Sequence, residues 1–507
     1  MSDNNTDYTN ITFTPEQLQS CAILPFIGEV PAIDADISGI GVLIAFFLSA
    51  YLTYAAVLFS YLSGLVDPRL LRPVDTLVHR VPNGIRRDST RRVIETFVIL
   101  LSDQQIVVGL AILIAGFVGL AGTINVYHFQ IVIYLAWLAS SVHLSALTML
   151  SEFFSSHRAV LHWRLVGMTA VMLMLLVSLV PTASNLWAIG NPGDYLGIDP
   201  AVLATLPNYE KRVGWGVPAK CYFFKNHGLG VNPDAPMGIT LLLISYLWKL
   251  GGLFGPSRRT YQRYIRRPVE KRLERMLHRQ ALKKARNRQG WIRTRYAMTL
   301  LSYVWLFSQN ELMGSFAASL HLSWIGLIFG TIQIVVPRQQ NIDWASQENQ
   351  WGFGQIVPIV LLVQPVGLIL EHWSKRNSRT EEDRSGTEMS DFRHSHRAGD
   401  QLRDKPRLPL SEYFETLDLD RAKTLPLPND LQDHQRALYA SRVFQALIIW
   451  TELGGAGVCA FTFYWDTTAL GDVSTANWFG VVIGIAIVWG AQFLLLLCSI
   501  PFSRIYR

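Results

Sequence analysis

The residues of this chain best suited to chemistry are ionisable groups set inside long apolar runs. Foremost is Asp103, within Ser102-Asp103-Gln104-Gln105. Arg91 and Arg92 mark the polar entry to that run, and Asp103 lies past Glu95 by roughly 12 Å of helix. An ionisable side chain within a bilayer costs about 2.5–3.5 kcal/mol on insertion scales, so it is by default a functional hypothesis. His143 and Glu311 complete a candidate polar pocket. In it Asp103 would be a general acid, with Glu311 or His143 assisting. The competing reading is interhelical hydrogen bonding that only sets packing. His128, His321, Gln355, Gln364 and Glu452 are further polar groups in apolar runs, while Lys249 ends one and is expected to snorkel to the interface.

Several chemistries find no residues to carry them. There is no P-loop for an ATP-driven pump, no paired aspartate-rich motif for magnesium and a diphosphate, no H-E-x-x-H and no GxSxG elbow. His157 and His162 are spaced wrongly for a zinc peptidase. His394-Ser395-His396 and Asp418-Leu419-Asp420 fall in a polar segment and carry little weight. No catalytic residue is assigned, and no cofactor or metal is expected.

The elements that must position these groups are membrane helices. The chain has 507 residues, 50% apolar and 16% charged, with a mean hydropathy of +0.23. A soluble domain carries about 25% charged residues. Together with the apolar runs, this excludes an ordinary soluble enzyme and a disordered chain. Four cysteines are too few for a disulfide scaffold. A crossing helix needs about 20 apolar residues. Runs at 39–66, 97–122, 126–150, 164–182, 237–255, 312–336, 351–370, 441–465 and 477–503 predict nine crossings. They are continuously apolar, which argues against a β-barrel. Residues 296–310 read as an amphipathic lead-in to the crossing 312–336, divided from it at Ser308-Gln309-Asn310-Glu311. The four polar residues at 102–105 point all round their helix, so the bundle should enclose it. Gln105, Gly109 and Gly116 share a stripe that would allow close helix packing.

Charge predicts orientation. Tail 1–38 has six acidic residues, no Lys or Arg, and the N-x-Thr sequons at Asn4 and Asn10. Loop 67–95 carries seven Arg, and loop 257–295 carries fifteen Lys or Arg against two Glu. These loops should face the cytoplasm, leaving the N-terminus outside and the C-terminus inside. No cleavable signal peptide or prenylation box is visible, so the first helix is expected to serve as an uncleaved anchor. Cys21 in the tail and Cys221 in outer loop 183–236 would meet an oxidising compartment, as a disulfide or as two free thiols. That Gly/Pro-rich loop is either a lid or a plain surface loop. In 257–295 a basic amphipathic helix is expected from Pro268 to about Arg288, with Leu273, Met276, Leu277 and Leu282 near helical spacing. It suits anionic lipid headgroups, or supplies only topogenic charge; nucleic acid is not an expected partner. Residues 372–440 read as disordered cytoplasmic chain, and 441–507 as an accessory hairpin.

Three stretches carry a resemblance. SDQQIVVGLAILIAG at 102–116 looks like the signature of a family of polytopic membrane proteins from filamentous ascomycete fungi. NQWGFGQIVP at 349–358 looks like its second signature, and ELMGSF at 311–316 is similar to a looser third. The resemblance spans about 39–371. It implies a fungal origin, and some such proteins resemble products of secondary-metabolite gene clusters. The expected fold is an all-α integral membrane protein: a seven-helix core at 39–371 plus the C-terminal hairpin. The leading expectation is a receptor-like or sensing protein whose partners are membrane lipids and a lipophilic small molecule. The alternatives are a membrane-embedded enzyme (cyclase, isomerase or transferase) and a transporter.

Overall fold

The computed structural model describes residues 19–82, 88–122, 124–150, 158–187, 206–223, 234–253, 262–286, 290–365 and 438–468, with a few isolated positions between them. Asn4, Asn10, most of 372–440 and the crossing expected at 477–503 lie outside the described residues. The described residues are helical, with no strand beyond isolated bridges. The chain divides into two compact units: Met1–Pro268 with Glu311–Pro365 and Glu452–Val488, and Val269–Asn310 with Val366–Thr451 and Trp489–Arg507.

The long helices are α1 (Ile40–Leu62), α2 (Asp88–Ala121), α3 (Val126–Met149), α4 (Arg158–Ser178), α5 (Asp234–Leu253), α6 (Arg267–Arg286), α7 (Gly290–Met313), α8 (Phe316–Gln340), α9 (Phe353–Leu361) and α10 (Arg442–Thr468). Five spans are long and apolar enough to cross a membrane: Ala35–Leu62, Thr90–Ala121, Val126–Met149, Arg158–Ala183 and Phe316–Gln340. Shorter apolar helices, Gly238–Gly251 and Phe353–Pro365, stand at the fifth and seventh expected crossings. This is a helical protein with the make-up of a membrane protein.

The first unit is built around α3. Every residue of α3 except Thr148 is buried. A helix apolar on all faces needs neighbours on all sides, and α1, α2, α4, α5 and α8 supply them. Asn125 starts it, its side chain accepting from the His128 backbone N–H at 2.8 Å. The sequence pointed to the second helix as the enclosed one, and here the structure differs. On α2, Val107, Ile114 and Val118 face outward. Its polar quartet is met from two sides instead, by α1 and α4. The glycine stripe does pack closely. A Cβ on Gly109 would come within 3.0 Å of Ala139, and one on Gly116 within 2.7 Å of Val132, both on α3. Outward apolar residues also line α1 (Ile44, Leu48, Leu52) and α4 (Val166, Leu173, Val177), as helices meeting lipid would show.

The break after the 296–310 stretch is displaced from its expected place. Ser308 to Met313 continue the helix; it ends at Gly314, and Ser315 caps α8 by accepting from Ala318 N–H at 3.0 Å. A hydroxyl before an apolar run favours the start of a new helix there, whereas polar residues within a run need not break one. The Arg72 guanidinium packs close to Gly314, its atoms 2.7 Å from where a Cβ would stand.

At the other end of α3, residues 213–223 close over the bundle. Trp215, Val217, Ala219 and Cys221 are buried. Bridges Glu29–Val213 and Asn125–Pro218 hold this stretch. A disulfide joins Cys21 to Cys221, with Cα atoms 4.9 Å apart.

The second unit contains α6 from Val269 and α7 up to Asn310. Leu277 packs on Tyr296 and Leu300, and Thr299 donates to Gln280 at 2.8 Å. Met276 and Leu282 are exposed. Phe307 meets Tyr439 and Phe444, each at 5.8 Å between ring centroids.

Candidate functional site

Within the quartet at 102–105, Asp103 meets a cation that the sequence did not flag. Arg164, on α4, pairs with Asp103 at 2.5 Å. It also donates to the Ile99 carbonyl at 3.0 Å and stacks over the Phe154 ring. Arg164 is 3% exposed and Asp103 45%. The carboxylate therefore reaches inward from a partly open position to neutralise a buried guanidinium. His143, buried on α3, interacts electrostatically with Arg164. On the neighbouring face, Gln105 donates to the Ser49 hydroxyl of α1.

Several buried polar atoms of these residues make no hydrogen bond among the described residues. They are Ser102 Oγ, Gln104 Oε1, Gln105 Oε1, both ring nitrogens of His143 and Arg164 Nε. Buried polar atoms are nearly always hydrogen-bonded, and a group of exceptions needs a reason. These atoms include donors and acceptors on three helices, α2, α3 and α4. They suit a ligand bearing hydroxyl and carbonyl oxygens.

Glu311 does not join Asp103 and His143. It pairs with Arg266 at 2.6 Å and Arg72 at 3.5 Å. Beside it stands a second carboxylate that sequence reasoning missed, the fully buried Asp75. Asp75 accepts from the Phe316 and Ala317 backbone N–H groups at 3.1 Å, from Tyr61 Oη at 2.9 Å and from Arg72 N–H at 2.8 Å. It thus ties loop 67–82 to the first turn of α8. His79 bridges Tyr61 (3.1 Å) and Glu452 (2.8 Å). Burial pulls the His79 imidazole down, but the bond to Glu452 and the charges of Glu452 and Asp75 outweigh it, so its pKa is raised.

His128 and Gln355 meet at the opposite end of α8. Glu348, fully buried, accepts from His128 Nε2 at 2.6 Å, from the Ser38 hydroxyl and from Asp34 N–H at 3.3 Å. Arg338 donates to the Ser38 carbonyl at 2.7 Å and stands 3.7 Å from Glu348. Gln355 accepts from Gly41 N–H at 3.1 Å and donates to the Gln350 carbonyl at 2.6 Å. It fits only because Gly39 and Gly41 lack side chains: a Cβ there would stand 2.3 Å and 2.8 Å from it. Glu348 and Arg338 gave no local signal. One sits in an ordinary polar loop and the other ends a helix, and only the fold brings them to His128.

His321 back-bonds to its own helix at the Ala317 carbonyl, and Gln364 is exposed. Lys249 does not snorkel. It is buried and reaches inward to Thr148 and Ser319. Among the described residues, no three His, Cys, Asp or Glu side chains gather as a metal site would need.

No family model matches the chain, and no solved structure matches it significantly. Two curated relatives come from Elsinoe fawcettii. Elsinochromes biosynthesis cluster protein HP3 is 35% identical over 116 residues, 22% of this chain and 45% of that protein. Elsinochromes biosynthesis cluster protein HP2 is 30% identical over 140 residues, 27% of this chain and 36% of that protein. The chain spans less than half the length of each.

Proposed function

We propose that this chain is a multi-pass membrane protein with a receptor-like, sensing role, binding a lipophilic small molecule of fungal secondary metabolism. One observation carries the reading: the buried polar atoms of Ser102, Gln104, Gln105, His143 and Arg164, on α2, α3 and α4, that make no hydrogen bond among the described residues. An unpaired buried polar group costs about 1–3 kcal/mol, so an oxygenated ligand that satisfied several would gain correspondingly. Its apolar remainder would suit the surrounding bundle. The relatives' names, which tie them to elsinochrome biosynthesis, support the class of ligand.

The enzyme reading has less behind it. Asp103 is engaged by Arg164, and Glu311 by Arg266 and Arg72, so neither stands free to hand over a proton. A transporter has no internal repeat to support it.

The reading includes a topology of seven core helices and a C-terminal hairpin, N-terminus outside and C-terminus inside. The Cys21–Cys221 disulfide supports it. Four candidate spans separate those cysteines, which returns the chain to one side of the membrane. The bond also suits an oxidising compartment. The contacts of α8 agree. Its start meets loop residue Asp75 and its end meets the start of α1, so 316–340 counts as one crossing. The basic residues of α6, Arg272, Arg275, Arg279 and Lys283, are exposed and suit anionic lipid headgroups.

Untargeted metabolite profiling of a strain lacking the protein, with cells and medium separated, tests the reading. Sensing predicts a general rise or fall of whole compound families. A single precursor accumulating while its product disappears would instead make the protein an enzyme. A finished compound trapped in cells would make it a transporter.

A further inference from the structure

Lys249 is a buried basic group, and no carboxylate in its described surroundings would balance its charge. It lies in the last turns of α5 and is 8% exposed. Its ammonium donates to Thr148 Oγ1 of α3 at 2.6 Å, to the Ser319 carbonyl of α8 at 3.2 Å and to the Ser319 hydroxyl. All these partners are neutral, and no carboxylate pairs with it among the described residues. Hydroxyls solvate an ammonium but leave its net charge in place. A buried charge without a counter-ion is strongly unfavourable.

The same lysine lines a small cleft between α3, α5 and α8, with about 20 Å³ of room inside, enough for one small polar group, and an open mouth beyond. Ser140, Ser141, Ser245 and Ser323 furnish its polar lining, with Trp137 and Leu242 among its apolar walls. Ser140, Ser141 and Ser323 now donate to the Tyr246 hydroxyl and to the Trp137 and Ser319 carbonyls, and their hydroxyls can rotate to donate to an oxyanion instead. The cleft thus combines one buried positive charge, several adjustable donors and an apolar margin. The single charge and small volume favour a carboxylate over a phosphodiester headgroup.

We infer that this cleft binds the carboxylate of a lipophilic acid. Lys249 is the counter-cation, the serines are hydrogen-bond donors, and the hydrocarbon part leaves past Leu242 and Leu322. The inference stands apart from the pocket at Arg164 and does not depend on a sensing role.

The test uses the full-length protein in phosphatidylcholine nanodiscs and two fluorescent probes, parinaric acid and its methyl ester. The acid is expected to bind at least about tenfold more tightly than the ester. Lys249→Met should bring that ratio close to one while leaving ester binding unchanged. Equal binding of acid and ester to the unaltered protein would overturn the inference. So would a preference for the acid that survives Lys249→Met. If that variant fails to fold, Ser245→Phe fills the cleft. Loss of acid binding then supports the site, and unchanged binding refutes it. Nanodiscs containing phosphatidylglycerol separate the two sources of anion. A preference for the acid that disappears there assigns the cleft to a lipid headgroup and overturns the inference; one that persists supports it.

Discussion

Glu348, itself without exposure to solvent, accepts from an imidazole, a hydroxyl and a backbone N–H, with a guanidinium 3.7 Å away. Removing such a hub leaves buried donors unpaired. Glu348→Ala is expected to destabilise the protein by about 3–5 kcal/mol, read as a large drop in melting temperature in detergent. Glu348→Gln, which keeps two acceptor sites, should cost less. The Asp103–Arg164 pair predicts a different pattern. Asp103→Asn strands a buried guanidinium, so it should lower the melting temperature. The double variant Asp103→Asn with Arg164→Gln should lose less than the sum of the two single changes. A strictly additive result would mean that the two groups do not interact. His79 adds a pH dependence. Its folded-state pKa is raised above the unfolded value of about 6.5. Its bond to Glu452 therefore stabilises fully below about pH 6.5, and the contribution fades as pH rises through the folded-state value. The stability gap between the unaltered protein and Glu452→Gln should be widest at low pH and close as pH rises; a constant gap would contradict this.

At the scale of elements, glycines set how closely helices approach. A side chain at Gly41 would meet the Gln355 carbonyl, which is backbone and cannot rotate away. Gly41→Leu is expected to cost about 1–3 kcal/mol and to reduce the yield of folded protein. Gly457, in mid-α10, has nothing near its missing Cβ, so Gly457→Ala should be neutral or stabilising by up to about 1 kcal/mol. These elements were only partly legible in the sequence. Apolar runs gave the five long spans, because continuous hydrophobicity is a local property. Arg164, the partner of Asp103, stands at the boundary of a run, where nothing in the sequence singles it out. Lys249 was misread, since position near a helix end says nothing about which neighbour the side chain can reach. The enclosed helix proved to be α3 rather than α2. Enclosure depends on packing order, and local polarity does not encode it.

At the scale of the whole molecule, the three polar stretches at 102–105, 311–316 and 349–358 each fall at a junction. SDQQ joins α2 to α1 and α4, ELMGSF joins loop 67–82 to α8, and NQWGFGQIVP seats on the start of α1. The last two are filled by well-partnered groups, as structural joints require. Only the first leaves several buried polar atoms unpartnered. A bound molecule is therefore expected at Arg164 rather than at Glu348. The most direct measurement is mass-spectrometric identification of small molecules that co-purify with the full-length protein from a producing fungus, compared with His143→Phe. A lipophilic compound rich in hydroxyl or carbonyl oxygens should accompany the unaltered protein and be lost from a folded His143→Phe. The same compounds in both preparations, or membrane lipids alone in both, would contradict a binding pocket at this site.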